Sequence, residues 1–300
     1  MEPFVQPRPV ALLPAGRVVE LPGRGATFVR ELRSGPLRRP TVVLLHGWAA
    51  TADLNWALAY AALGPHFDVV ALDHRGHGRG IRTEDRFTLE ACADDVAALV
   101  HELGAGPVVV VGYSMGGPVA QLVWRRHPGL VSGLVLCATA ARFCDSPRDR
   151  AVFAAARGAA VVARSRPTRM AGQAVTSAVV RRRDLPAPLS GRVAEHDWAR
   201  VFEAALALGG FDSRRWLRHL DVPVAVITTL SDRVVPTDRQ LNMAGSLHPV
   251  SHSILPGGHG VCLRTGSGFT TALVRACRAV HTAATSVPAP TTTVTAAAAA

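Results

Sequence analysis

The sequence predicts an α/β domain: a doubly wound, mostly parallel β-sheet with a helical segment inserted after its sixth strand. Three observations predict it. Short Val- and Leu-rich runs recur along the chain, each with the length and composition of a strand buried on both faces. Stretches with apolar residues at helical spacing separate them, which is the alternation of a parallel sheet. That alternation stops near residue 141, where the chain turns Ala- and Arg-rich, and it resumes after about 215. With 300 residues, 48% hydrophobic and 18% charged, the chain can bury one core of this size.

The elements follow in order. Residues 1–16 are proline-rich and read as irregular. Residues 17–31 alternate well enough for two short strands that turn at Pro22-Gly23. Buried strands follow at 41–45, 68–72, 107–111 and 133–136. Between the second and third of these, Leu89, Cys92, Val96, Leu99 and Val100 mark a helix over 88–103. The core then pauses for an insertion over 141–215, helical in tendency and punctuated by Pro167, Pro186 and Pro188. A strand over 222–228, a helix over 238–247, a last strand over 252–255 and a helix from Phe269 to about His281 complete it. The expected organisation is thus 1–16 irregular, 17–140 and 216–282 core, 141–215 helical cap, and 283–300 a low-complexity, disordered tail.

The net charge of +11 first suggests an anionic partner. All 33 basic residues are arginine, however, and they are scattered apart from Arg181-Arg182-Arg183, with no nucleic-acid recognition motif beside them. A solvated basic face is the expectation, and no nucleic-acid partner. The five cysteines are odd in number and none pair at zinc-ligand spacing. Cys137 lies in an apolar run, as a small buried hydrophobe does. No signal-peptide pattern opens the chain and no apolar run is long enough for a bilayer, so a soluble, cytoplasmic protein is expected.

The strongest chemical signal is four valines, Val108 to Val111, running into Gly112-Tyr113-Ser114-Met115-Gly116 and a helix-compatible stretch. A serine hydroxyl is a poor nucleophile unless a base reaches it, so it must project from the edge of the sheet. A sharp strand-to-helix turn achieves this, and it brings backbones so close that the flanking positions need glycine. The helix that follows points its first amides at developing negative charge.

A second strand, Val42 to Leu45, ends in His46-Gly47-Trp48. Here the chain resembles the α/β-hydrolase family of esterase- and lipase-like serine hydrolases, whose members carry His-Gly-x after the third strand. The resemblance implies that the backbone N–H of Trp48 and that of Met115 form an oxyanion hole. It leaves the His46 side chain a structural task. Asp73-His74-Arg75-Gly76-His77-Gly78 is similar to the family's Asp-x-Arg-Gly-x-Gly turn, which shapes a loop and carries no catalytic role. His74 and His77 beside Asp73 invite a metal, but three or four convergent ligands are required and no metal is expected.

Base and acid come late in the chain, as the order Ser…Asp…His requires. Pro256-Gly257-Gly258-His259 is similar to the loop that carries the family's histidine, and His259 is preferred over His248 and His252, which precede or lie within the last strand. Asp232-Arg233-Val234-Val235-Pro236 resembles the acid loop, with Thr229 where members more often have glycine. Asp145 is the alternative, because some relatives place the acid after the sixth strand.

Together these imply acyl transfer through Ser114, His259 and Asp232, with no cofactor. The expected substrate is a carboxylic ester, lactone or thioester with an apolar moiety. Trp48, Met115, Phe143, Trp198 and Phe202 are expected to border its pocket, with Phe153, Met170 and Phe211 as further apolar candidates. Acyl transfer, perhydrolysis and C–C hydrolysis share the same triad. From another class, the fold also serves as a small-ligand binder without turnover. Basic charge and an apolar cap permit contact with a lipid surface, though no motif calls for it.

Overall fold

In the computed structural model, residues 13–33, 39–163 and 195–286 are described. The expectations for 1–12, for the middle of the insertion (164–194, with Met170 and Arg181-Arg182-Arg183) and for 287–300 lie outside the described residues.

Eight strands form a single sheet in the order β1-β2-β4-β3-β5-β6-β7-β8. β1 (Gly16–Leu21) and β2 (Gly25–Leu32) form the expected antiparallel pair, and β2 also runs antiparallel to β4 (Asp68–Leu72). β3 (Thr41–Leu45), β4, β5 (Val108–Tyr113), β6 (Val131–Cys137), β7 (Val224–Thr229) and β8 (Ser251–Leu255) are all parallel. Their C-terminal ends therefore share one edge. The strand order reverses between β3 and β5, and in open α/β sheets the crevice at such a switch point is where ligands bind.

Alternate strand side chains enter two cores. Val43, Leu45, Val108 and Val110 pack on one face with α3 (Leu89–Glu102) and α4 (Gly116–Arg126). Val42, Leu44, Val109 and Val111 pack on the other with Trp56 of α1 (Ala52–Trp56), Tyr60 of α2 (Tyr60–Leu63) and the last helix, through Leu273, Cys277 and Val280. Burial on both faces is why these strands read as continuous apolar runs. Each such side chain contributes roughly 1.5–3 kcal/mol of transfer free energy. Thr88 caps α3 by accepting from Ala91 N at 3.0 Å.

Some boundaries differ from expectation. β5 runs on to Tyr113 because Gly112 and Tyr113 stay in register with Leu136 and Cys137 of β6. Ser114 therefore follows the strand immediately. The last helix, Phe269–Ser286, extends past His281 into the segment expected to be a disordered tail, since its Ala-rich end favours helix. Between β6 and β7, helix Pro147–Ala163 packs against helix Trp198–Gly210. A short helix, Arg214–Leu217, leads back to the core. Among the described residues no helix is long and apolar enough to cross a membrane.

Candidate active site

Ser114 has φ of +53°, a left-handed conformation that a side-chain-bearing residue adopts only when its surroundings hold it there. They do. Ser114 N donates to Cys137 O at 2.9 Å, while its carbonyl accepts from Gly117 N at 2.9 Å and from Thr139 Oγ1 at 2.8 Å. The glycines are required by contact. A Cβ on Gly112 would lie 2.2 Å from Gly116 O, and one on Gly116 would lie 2.1 Å from Leu45 O. Only bare backbone lets α4 start this close to the strands.

The structure brings Ser114, His259 and Asp232 together from three loops at the C-terminal edge of the sheet. His259 Nε2 lies 2.9 Å from Ser114 Oγ, and His259 Nδ1 lies 2.7 Å from Asp232 Oδ2. The consistent proton assignment has Nδ1–H donating to the carboxylate and Nε2 accepting from the hydroxyl. The loops bearing acid and imidazole are laced to each other: Leu230 N donates to Leu255 O and Ser231 N to Gly257 O, at 3.0 and 2.8 Å. Burial works against ionisation of Asp232, yet hydrogen bonds from His259, from Val235 N and from the Thr229 hydroxyl hold its carboxyl below the usual range.

The loop after β3 passes beside the serine. A Cβ on Gly47 would sit 3.2 Å from Ser114 Cβ, and Gly47 N donates to Asn55 Oδ1 at 3.0 Å. Trp48 is 40% exposed, and its Nε1–H donates to Val201 O in helix Trp198–Gly210 at 2.6 Å. Met115 forms the N-cap of α4, so its amide stands at the positive end of that helix, while its side chain is wholly buried in the core. Trp198 packs with Leu54 and Val201, its ring 6.0 Å from that of Phe202, in a small cluster that also meets Ala49 and Leu263. Phe143 lies elsewhere, in the main core with Leu208 and Phe211.

The rival residues have other partners. His252 Nε2 meets Thr228 Oγ1 at 3.0 Å, His248 is the left-handed C-cap of helix Thr237–Leu247, and Asp145 pairs with Arg142. His46 is fully buried; its Nδ1 donates to Gly47 O at 2.8 Å and its Nε2 accepts from His74 N at 2.9 Å, tying the loops after β3 and β4 together. His74 and His77 lie beside it with tilted rings, and His196 meets His77 edge-on. Ring centroids are 4.4 Å apart for His46–His74, 5.4 Å for His46–His77 and 5.4 Å for His77–His196. Burial keeps all four imidazoles neutral, with His74 pushed down to about 3 and His196 to about 4. Among the described residues no three His, Cys, Asp or Glu are arranged to hold a metal ion.

Sequence reasoning overlooked several contributors. Tyr113 donates its hydroxyl to His259 O at 2.5 Å. Gln240 and Thr229 reach the Asp232 carboxylate, and Asn55 braces Gly47. Gln240 alone left a trace in the sequence. It lies three and four residues before Met243 and Ala244, a polar residue on an apolar helical face.

The family model for the alpha/beta hydrolase fold matches residues 40–263, and the chain belongs to that family. A pimeloyl-(acyl-carrier protein) methyl ester esterase of Sodalis glossinidius (strain morsitans) is 33% identical over 224 residues, covering 72% of this chain and 84% of that protein. A bifunctional esterase/perhydrolase of Acinetobacter calcoaceticus is 40% identical over 95 residues, only 31% of this chain and 34% of that one. Among solved structures, a thermophilic esterase from Thermogutta terrifontis superposes with a TM-score of 0.71 at 27% identity, covering 89% of this chain and 99% of that one.

Proposed function

We propose that the protein is a serine hydrolase that cleaves a carboxylic ester, lactone or thioester with an apolar moiety through an acyl-enzyme on Ser114. The observation that carries this reading is the unbroken chain Ser114 Oγ–His259–Asp232, at 2.9 and 2.7 Å, on a strained turn at the switch point of the sheet. Ser114 Oγ attacks the carbonyl as His259 Nε2 removes its proton, and Asp232 supports the imidazolium. His259 then protonates the leaving group, and water enters by the reverse steps to release the acid. The N–H groups of Trp48 and Met115 receive the oxyanion, each worth about 3 kcal/mol in comparable sites. Trp48, Trp198 and Phe202 form the apolar wall, and helix Trp198–Gly210 belongs to a cap over the site. The sequences of named esterases at 33% identity over most of their length, and at 27% with the same fold, support ester chemistry in particular.

The test is intact mass after incubation with a fluorophosphonate, followed by turnover of p-nitrophenyl esters. One adduct on the wild type, absent in Ser114→Ala, is expected, with turnover lost in the same variant. No adduct on folded wild-type protein overturns the reading. The match to an esterase/perhydrolase favours a second outlet for the same acyl-enzyme: hydrogen peroxide in place of water, giving a peracid and free Ser114. Peracid formation from ester and peroxide measures that outlet directly.

A further inference from the structure

The acid is held by more than its histidine. Asp232 Oδ1 accepts from Val234 N and Val235 N, both at 2.9 Å. Oδ2 accepts from His259 Nδ1 at 2.7 Å and from Thr229 Oγ1 at 2.8 Å, and Gln240 Nε2 stands 3.2 Å from it. A carboxylate offers about four lone-pair sites, so this one is saturated.

Gln240 is completely buried in helix Thr237–Leu247, and its orientation is set by two backbone groups of opposite polarity. Thr229 N–H donates to its Oε1 at 3.0 Å, and its Nε2 donates to Val235 O at 2.8 Å. A flipped amide would face donor with donor and acceptor with acceptor. The remaining Nε2 hydrogen points to Thr229 Oγ1 at 2.9 Å. The single Thr229 hydroxyl hydrogen goes to the charged Asp232 Oδ2 at 2.8 Å in preference to the neutral Gln240 Oε1 at 3.3 Å, which already accepts from Thr229 N. The donors thus form a relay from Gln240 through Thr229 to Asp232, each bond polarising the next in a site closed to water.

We infer that Gln240 and Thr229 are positioning residues that set the basicity of His259 by drawing charge from the Asp232 oxygen it binds. The inference rests on the proposed role of His259 and extends it to two residues that touch no substrate. A carboxylate oxygen with fewer donors carries more negative charge and favours the imidazolium more strongly. Removing the relay therefore raises the pH at which His259 titrates. The other groups facing His259 stay neutral over this range. Tyr113, from β5, is pushed up by burial beyond any working pH, and burial likewise pushes the Cys262 thiol up to about 12. Asp232, held below the usual carboxylate range, is ionised there.

The experiment is NMR titration of ¹⁵N-labelled histidines, with His259 assigned by its loss in His259→Gln. It is run on the wild type, Thr229→Ser, Thr229→Val, Gln240→Leu and the double variant Thr229→Val/Gln240→Leu. The His259 midpoint should rise by about half a pH unit or more in Thr229→Val and Gln240→Leu. It should return to the wild-type value in Thr229→Ser, which keeps the hydroxyl. The double variant should move no further than the larger single shift, because one relay is broken twice. Midpoints unmoved in all folded variants overturn the inference, as does a Thr229→Ser midpoint that follows Thr229→Val. A merely structural role lowers the melting temperature of Gln240→Leu without moving the midpoint. The titration reads His259 whether or not esters turn over. Failure of the proposed hydrolysis appears separately, as absent turnover and absent adduct.

Discussion

Tyr113 and His259 are joined back to front: the Tyr113 hydroxyl holds the backbone carbonyl of His259 at 2.5 Å, and their rings lie 5.6 Å apart. The residue beside the serine thus anchors the loop that carries His259. Tyr113→Phe keeps the ring and removes the tether. Turnover number should fall about tenfold with KM little changed, since the loss is in alignment and not in substrate contact. Steady-state kinetics on a p-nitrophenyl ester checks this; an equal fall in kcat and rise in KM would contradict it.

Asp232→Asn preserves shape and most hydrogen bonds but offers His259 an amide where it meets a carboxylate. In comparable triads the change costs about 10⁴ in kcat, because the imidazole adopts the wrong tautomer and the imidazolium loses its counter-charge. A drop of that order is expected here, with the fold intact by circular dichroism. Asp145→Asn should leave turnover within about twofold, since Asp145 is exposed and paired with Arg142.

Gly116→Ala should destabilise the protein by several kcal/mol, on the order of the largest single-site effects. The new methyl would meet the Leu45 carbonyl at 2.1 Å, and backbone has nowhere to move in the centre of a sheet. Urea unfolding of Gly116→Ala against Gly129→Ala, a position with no atom within 4 Å, isolates the contact.

The buried histidines make the fold acid-sensitive. His196 is lowered by burial from 6.5 to about 4, so between these values the unfolded chain binds a proton that the folded one refuses. Stability is full above pH 6.5 and falls as pH drops towards 4, by about 1.4 kcal/mol per unit and about 3 kcal/mol in all from this ring. The mechanism is specific, because Gly78 N donates to His196 Nδ1 at 2.7 Å and a protonated nitrogen cannot accept. His196→Gln, whose carbonyl can still accept, should flatten the slope of unfolding free energy between pH 6.5 and 4. An unchanged slope would assign the acid sensitivity to His46, His74 and His77.

Much of this site is legible in the linear chain, for a physical reason. The turn bearing Ser114 needs glycine at Gly112 and Gly116 because real backbone atoms lie within 2.2 Å of a would-be Cβ, and such a demand can be met by one residue type only. Strands buried on both faces write themselves as runs of valine, and a chemical order of Ser, Asp and His can be read along the sequence. Thr229 shows the limit. It departs from the resemblance, yet its hydroxyl bonds Asp232 at 2.8 Å, a gain that no local pattern announces.

By itself, then, the sequence determined the doubly wound sheet, the strained turn, and the candidate nucleophile, base and acid, because each depends on local spacing, periodicity or a conformation that only certain residues tolerate. Only the tertiary structure decided which side chains support them. Gln240 meets Thr229 from 11 residues away, Tyr113 meets His259 across 146, and His196 meets Gly78 across 118. Hydrogen bonds between such segments depend on how helices and loops pack around the sheet, and periodicity places a residue on a face without naming the partner it meets there.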